Sequence, residues 1–255
     1  DVSKYTGSNE ILDGRVKTLH PKIHAGILNK RRDKSHKQDL IKNNFKNIDL
    51  VIVNFYPFEE TLRYTSNHKK IIENIDIGGP TMVRAAAKNY NDVTVITSSY
   101  YYEEFIRELI KFRGSTSLTF REKMSKIAFA ETAYYDALIS NYFNKISKNT
   151  FPKKKIIYGN LIENFRYGEN PHQQGAIYSQ YNSLNIHQLN GKKLSYNNYN
   201  DIFAALMISK SLPKNVGIAI VKHANPCGVS ILKNNVECYQ SALSCDPISA
   251  FGGIV

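Results

Sequence analysis

Residues 48–58, IDLVIVNFYPF, hold a continuous apolar run that ends at Asn54 and Pro57. A strand with one wet face alternates apolar and polar residues, whereas a strand covered on both faces does not. A second such run, NDVTVITSS at 91–99, precedes the helical pattern YYYEEFIRELIKFRG, which Ser99 is expected to cap and Gly114 to stop. Strand, helix, strand, helix in this order predicts a parallel α/β domain. In TFREKMSKIAFAETAYYDALISNYFNKI, 119–146, Thr119 and Glu122 fit a capping box, and Ile127, Ala130, Tyr134 and Leu138 recur at helical spacing. That helix closes the first unit. The Lys-, Asn- and Pro-rich stretch near 147–160 reads as a linker, followed by a helix at 200–212 and a strand at 216–223. Two domains are expected, 1–148 and 149–255.

With 255 residues, 42% of them hydrophobic, the chain can bury real cores. No apolar run approaches the roughly 20 residues needed to cross a bilayer, and DVSKYTGSNE has neither the charged start nor the apolar middle of a signal peptide. A cytoplasmic protein with no membrane partner is expected. Cys227, Cys238 and Cys245 fit neither a zinc spacing nor a paired disulfide framework. The first residue is not methionine and FGGIV ends as a strand would in mid-course, so a fragment of a longer protein is expected. The net charge of +12 raises a nucleic-acid reading. Outside NKRRDKSHK (29–37) and FPKKKIIYGN (151–160), however, the lysines are scattered, and no nucleic-acid partner is expected. A basic chain also suits anionic small molecules.

Three segments carry chemistry. In IDIGGPTMVRAAAKN, 75–89, Pro80 is expected at the first helical position, and Gly78 and Gly79 let backbone N–H groups approach an anion or a carbonyl oxygen at a helix N-terminus. Asp76 stands just before it. Thr81, Arg84 and Lys88 share one helical face, which reads equally as a solvated basic surface. In LDGRVKTLHPKIHAG, 12–26, Arg15, Lys17 and Thr18 follow Gly14; His20 and His24 lack an acidic or cysteine partner, so no metal site is expected. Asn54 and Tyr56 close the first strand, where ligands of parallel α/β sheets bind. In AIVKHANPCGVS, 219–230, a strand delivers Lys222 beside His223 to a turn expected at Asn-Pro and Gly. A strand end meeting water is the plain alternative.

GRVKTLHPKIHAGIL, VNFYPFEETL and ENIDIGGPTMVRAAAKN resemble the IMP cyclohydrolase domain of the bifunctional purine biosynthesis family. FRYGENPHQQGAIY, LSYNNYND, VKHANPCGV and DPISAFGGIV resemble its AICAR transformylase domain. The resemblance runs in order along nearly the whole chain. It implies a methylglyoxal-synthase-like parallel α/β domain, then the start of a cytidine-deaminase-like α/β domain without its zinc. It also implies formyl transfer from 10-formyltetrahydrofolate, as co-substrate, to AICAR, then closure of formyl-AICAR to IMP with loss of water, in a homodimer.

By that resemblance Arg15, Lys17, Thr18, Asn54, Asp76 and Ile77, with Gly78 and Gly79, line the cyclohydrolase pocket. Lys17, Tyr56, Asp76 and Lys88 are its catalytic candidates, Lys88 orienting or tuning Asp76. In the transformylase, His223 is the expected base and Lys222 the cation for developing charge. Asn225, Arg166, Tyr167, His172 and the Gly252 backbone are then expected around AICAR. A lyase of the methylglyoxal synthase type is an alternative for the first domain, but it leaves RYGENPHQ and VKHANPCGV unexplained.

Overall fold

The computed structural model describes residues 1–181 and 183–255, which form two units, Asp1–Tyr158 and Gly159–Val255. The first unit runs α1 (Val2–Thr6), α2 (Pro21–Leu28), α3 (Lys34–Lys42), β1 (Leu50–Ile52), α4 (Phe58–Tyr64), α5 (His68–Glu73), α6 (Gly78–Lys88), β2 (Thr94–Ile96), a 3₁₀ turn (Ser99–Tyr101), α7 (Tyr102–Lys111) and α8 (Leu118–Ile146). β1 and β2 pair in parallel, with Leu50 opposite Thr94, Val51 opposite Val95 and Ile52 opposite Ile96. Helices α4, α5 and α6 make the crossover between them, as a parallel α/β arrangement requires.

The apolar runs became short strands. All three residues of β2 are buried, but in β1 only Val51 is, while Leu50 and Ile52 stay 39% and 45% exposed. The expected cover on both faces of β1 is therefore corrected: Val51 joins the core that Val83 and Ala86 of α6 share with Val93, Val95 and Ile96. The opposite face has no comparable packing among the described residues.

Capping also differs from expectation. Ser98, not Ser99, accepts the N–H of Tyr100 and starts the 3₁₀ turn ahead of α7. α7 ends at Lys111, after which Arg113 and Gly114 both take left-handed φ values of 52° and 90°. Ser117 caps α8 through the Phe120 N–H, so Thr119 already lies inside the helix. The buried stripe of α8 is Phe120, Met124, Ala128, Tyr135 and Leu138; Ala130 is exposed and Ile127 and Tyr134 are half-buried, so the apolar face is rotated from the one expected. Truncating Met124, 2% exposed, to Ala should cost about 2–5 kcal/mol, since a buried cavity would replace its thioether. Asn141 of α8 donates to the Ile156 carbonyl and Tyr134 packs edge-on against Tyr158, which ties 156–158 to this unit.

The second unit holds β3 (Asn160–Asn164), β4 (Ala176–Ser179), α9 (Tyr196–Ser211), β5 (Gly217–Lys222), β6 (Asn225–Ile231) and α10 (Asn235–Leu243). β3 pairs antiparallel with β4, and β5 with β6. α9 opens on a capping box in which Ser195 and Asn198 satisfy each other's backbone N–H groups. Ala205 and Ile208 of α9 pack on Ala219 and Val221 of β5. The expected Asn-Pro-Gly turn is corrected: Asn225 to Ile231 form β6, and the chain reverses at His223 and Ala224. Gly228 permits this packing, because a Cβ there would lie 1.8 Å from the Ala242 carbonyl oxygen of α10.

Candidate functional site

A cavity of about 700 Å³ opens in the first unit, and its walls include Arg15, Lys17, Thr18, Asn54, Tyr56, Asp76, Ile77, Gly78 and Gly79. Three segments build it. The loop 11–16 is closed by an antiparallel bridge between Ile11 and Val16, with left-handed φ at Leu12, Asp13 and Gly14 turning the chain so that Lys17 and Thr18 follow. Asn54 and Tyr56 leave the carboxyl end of β1, the position where open parallel sheets expose ligand-binding loops. Asp76 to Gly79 form the entry to α6.

At that entry α6 starts at Gly78 with Ile77 as its cap residue, so Pro80 sits in the first turn and not at its first position. Asp76 Oδ1 accepts the Gly79 N–H at 2.8 Å, and Oδ2 accepts no hydrogen bond among the described residues. A side chain on either glycine would collide: a Cβ on Gly79 would lie 2.4 Å from Asp76 Oδ2, and one on Gly78 2.5 Å from Thr18 Oγ1. The Asp76 N–H donates to the buried Tyr135 hydroxyl of α8 at 2.8 Å. Thr81 bonds back to the Ile77 carbonyl and Arg84 lies over the Phe129 ring, both on the exposed face. Lys88, the last residue of α6, is exposed and outside the cavity lining, about three turns from Asp76.

The cations of the cavity are paired with acids that the sequence did not single out. Lys17 Nζ lies 2.9 Å from Glu10, and Arg15 is ion-paired with Glu73. The hydrogen bond and charge of Glu10 raise the Lys17 pKa above its ordinary value. Each of these side chains is roughly half exposed, so an entering anion can exchange for the carboxylates at modest cost. Among the described residues no three His, Cys, Asp or Glu side chains gather to hold a metal ion.

In the second unit, Lys222 ends β5 and donates to the Phe251 carbonyl at 2.7 Å. His223 and Ala224 both have left-handed φ, 53° and 59°, as a two-residue hairpin turn of type I′ demands, although neither is a residue that adopts it readily. Asp201 of α9 accepts the Ala224 N–H at 2.8 Å, and Asn225 donates to the His223 carbonyl at 2.9 Å. The His223 ring is exposed. Val221 exchanges two 2.8 Å backbone bonds with Ile254, which carries the Phe251–Gly252 segment back to Lys222. Lys222, His223, Asn225 and Gly252 are thus neighbours.

Arg166, Tyr167 and His172 lie on the loop between β3 and β4, which is folded on itself by the Gly168 N–H to the Gln173 carbonyl and by the Asn170 N–H to Gln173 Oε1. Asn197 holds the Glu169 carbonyl, and Phe165 packs on Tyr196 and Tyr199. The opening turns of α9 therefore fasten both this loop and the Lys222–His223 turn. Asp201 was missed because its partner lies 23 residues further along the chain.

A parallel α/β unit with its cavity at the carboxyl end of β1, followed by a second unit of hairpins and helices, defines the architecture. Residues 1–81 match the sequence model of the MGS-like domain, in agreement with the expected methylglyoxal-synthase-like start. Residues 86–255 match that of the AICARFT/IMPCHase bienzyme, and the chain belongs to this family. It is 46% identical over 261 residues to the bifunctional purine biosynthesis protein PurH of Rhizobium etli, covering 100% of this chain and 48% of that protein. Identity is 47% over 263 residues to PurH of Rippkaea orientalis (100% of this chain, 51% of that protein) and 47% over 261 residues to PurH of Bartonella tribocorum (100% and 48%). The chain spans about half the length of these relatives. Among solved structures, the crystal structure of ForH aligns with TM-score 0.47 and 29% identity, covering 56% of this chain and 74% of that one.

Proposed function

We propose that this chain is part of a bifunctional enzyme that formylates AICAR and closes formyl-AICAR to IMP, with cyclisation in 1–148 and formyl transfer in a domain that starts at 149. The observation that carries the reading is the cavity joining Arg15, Lys17, Thr18, Asn54, Tyr56 and Asp76. In ring closure the carboxamide nitrogen forms a bond to the formyl carbon; that nitrogen and the formylated amine nitrogen lose one proton each, and the formyl oxygen leaves with two protons as water. Asp76 Oδ2 is the acceptor on the nitrogen side, while Lys17 and Tyr56 serve the oxygen. Arg15 and Thr18 receive the anionic end of the substrate, Asn54, Ile77, Gly78 and Gly79 line the pocket beside it, and the Gly79 N–H also orients the Asp76 carboxylate. Lys88, the last residue of α6, completes the catalytic set as the residue that orients or tunes Asp76.

In formyl transfer His223 accepts the proton of the AICAR amine as its nitrogen attacks the formyl carbon of 10-formyltetrahydrofolate. Lys222 serves the oxyanion or the folate nitrogen that departs. Arg166 is the phosphate partner, with Tyr167, His172, Asn225 and the Gly252 backbone beside the substrate. The reading includes a cytoplasmic homodimer; no helix of the described residues is long and apolar enough to cross a membrane. A full-length protein carrying this chain should convert AICAR and 10-formyltetrahydrofolate to IMP, and supplied formyl-AICAR to IMP without folate. Failure of the second conversion would overturn the cyclohydrolase assignment.

A further inference from the structure

Tyr135 is 6% exposed and lies outside the cavity lining, yet it touches both sides of the candidate site from behind. Its hydroxyl accepts the Asp76 N–H at 2.8 Å and donates to the Asn74 carbonyl at 3.1 Å, so one oxygen holds the chain on both sides of Ile75. Its ring packs on Phe55 with centroids 5.2 Å apart and on Phe58 at 6.0 Å. Phe55 is the residue between Asn54 and Tyr56. Burial is the main cause that raises the phenol's pKa, so the O–H stays intact to donate at neutral pH.

We infer that Tyr135 is a positioning residue of this site, its hydroxyl fixing Asp76 while its ring, through Phe55, fixes the strand end that carries Asn54 and Tyr56. The inference rests on the proposed cyclisation. It assigns the spacing of proton acceptor and phenol to one side chain of α8 that meets no substrate. A helix can do this where a loop cannot: Tyr135 lies far inside α8, whose neighbouring positions Ala137 and Leu138 are also buried. Removing the hydroxyl frees two partly buried backbone groups at the turn that presents Asp76, while a phenylalanine ring keeps the contacts to Phe55 and Phe58.

The test compares Tyr135→Phe with Leu138→Val in a full-length protein carrying the chain. Leu138 belongs to the same buried cluster and bonds to neither segment of the cavity. Tyr135→Phe should lower kcat for formyl-AICAR closure about 10–100-fold, as misplacement of a reacting group does, with KM within about threefold because the binding cations are untouched. Leu138→Val should lower Tm and leave kcat unchanged. Amide hydrogen exchange of residues 74–79 gives a readout that needs no activity: the Asp76 N–H should be protected in the unsubstituted protein and exchange about tenfold faster in Tyr135→Phe. The inference is overturned by wild-type kcat in Tyr135→Phe, by an equal kcat loss in Leu138→Val, or by an unprotected Asp76 N–H in the unsubstituted protein. If the unsubstituted protein does not cyclise formyl-AICAR, the proposed function fails by itself, and the exchange data alone then uphold or overturn the positioning of Asp76.

Discussion

Asp76 and Gly79 are joined by a 2.8 Å hydrogen bond in which the carboxylate Oδ1 caps a backbone N–H at the start of α6. An asparagine can make the same bond through its own Oδ1, so Asp76→Asn leaves the cap in place and removes only the proton acceptor at the other oxygen. Closure of formyl-AICAR should fall about 10²–10⁴-fold while formylation of AICAR continues, and formyl-AICAR should accumulate in a coupled assay. Unchanged IMP formation would exclude Asp76 from the step.

Glu10 sets the charge behaviour of Lys17. Its folded-state effect is to raise the lysine pKa, so the ammonium persists to higher pH than an unpaired lysine would. Glu10→Gln should therefore move the alkaline limb of the cyclisation pH–rate profile to lower pH, and should also tighten binding of an anionic substrate by removing a competing carboxylate. A limb that does not move would place the controlling group elsewhere than Lys17.

His24 of α2 has a buried Nε2 with no hydrogen-bond partner among the described residues, and burial lowers its pKa below the ordinary 6.5. The folded state thus prefers the neutral ring, and the unfolded state binds the proton first. Its contribution to stability is present above the unfolded-state pKa of about 6.5 and is lost as pH falls from there toward the lower folded value. His24→Leu should flatten the decline of Tm below pH 6.5, measured by thermal melts from pH 8 to 5; a decline as steep as that of the unsubstituted protein would show that other groups drive it.

His223 and Lys222 should separate by role. His223→Ala should lower kcat of formyl transfer about 10²–10⁴-fold while AICAR still binds, and supplied formyl-AICAR should still cyclise. Lys222→Arg keeps the charge but replaces a compact ammonium with a planar fork, which the single carbonyl of Phe251 does not match, so a substantial loss is expected there too. Near-normal transfer by His223→Ala, or equal loss of cyclisation, would return the pair to a plain strand end.

The parallel pairing of β1 and β2 was legible because both apolar runs lack alternation, but their three-residue extent was not, since strand length is set by the partner's reach. At α8 two hydroxyl side chains, Ser117 and Thr119, compete as caps, and only the backbone path decides that Ser117 meets the Phe120 N–H. The cavity's chemistry-bearing residues lie in three motifs that could be read from the chain. The acidic partner of Arg15 could not: Glu73 is 58 positions away, and nothing local links them. The turn at His223 and Ala224 was hidden for the same reason. Asn-Pro-Gly attracts a turn by local preference, whereas the register of β5 on β6 and the reach of Asp201 from α9 put it two residues earlier.

Gly78 and Gly79 are hemmed by Thr18 Oγ1 and the Asp76 carboxylate, each within 2.5 Å of where a methyl group would stand. Positions 18, 76, 78 and 79 are thereby coupled in space. Ile77, which lines the same cavity, keeps its side chain exposed between them. An alanine at 78 or 79 would push one of these side-chain ends, the Thr18 hydroxyl or the Asp76 carboxylate, from the place it holds at the cavity wall.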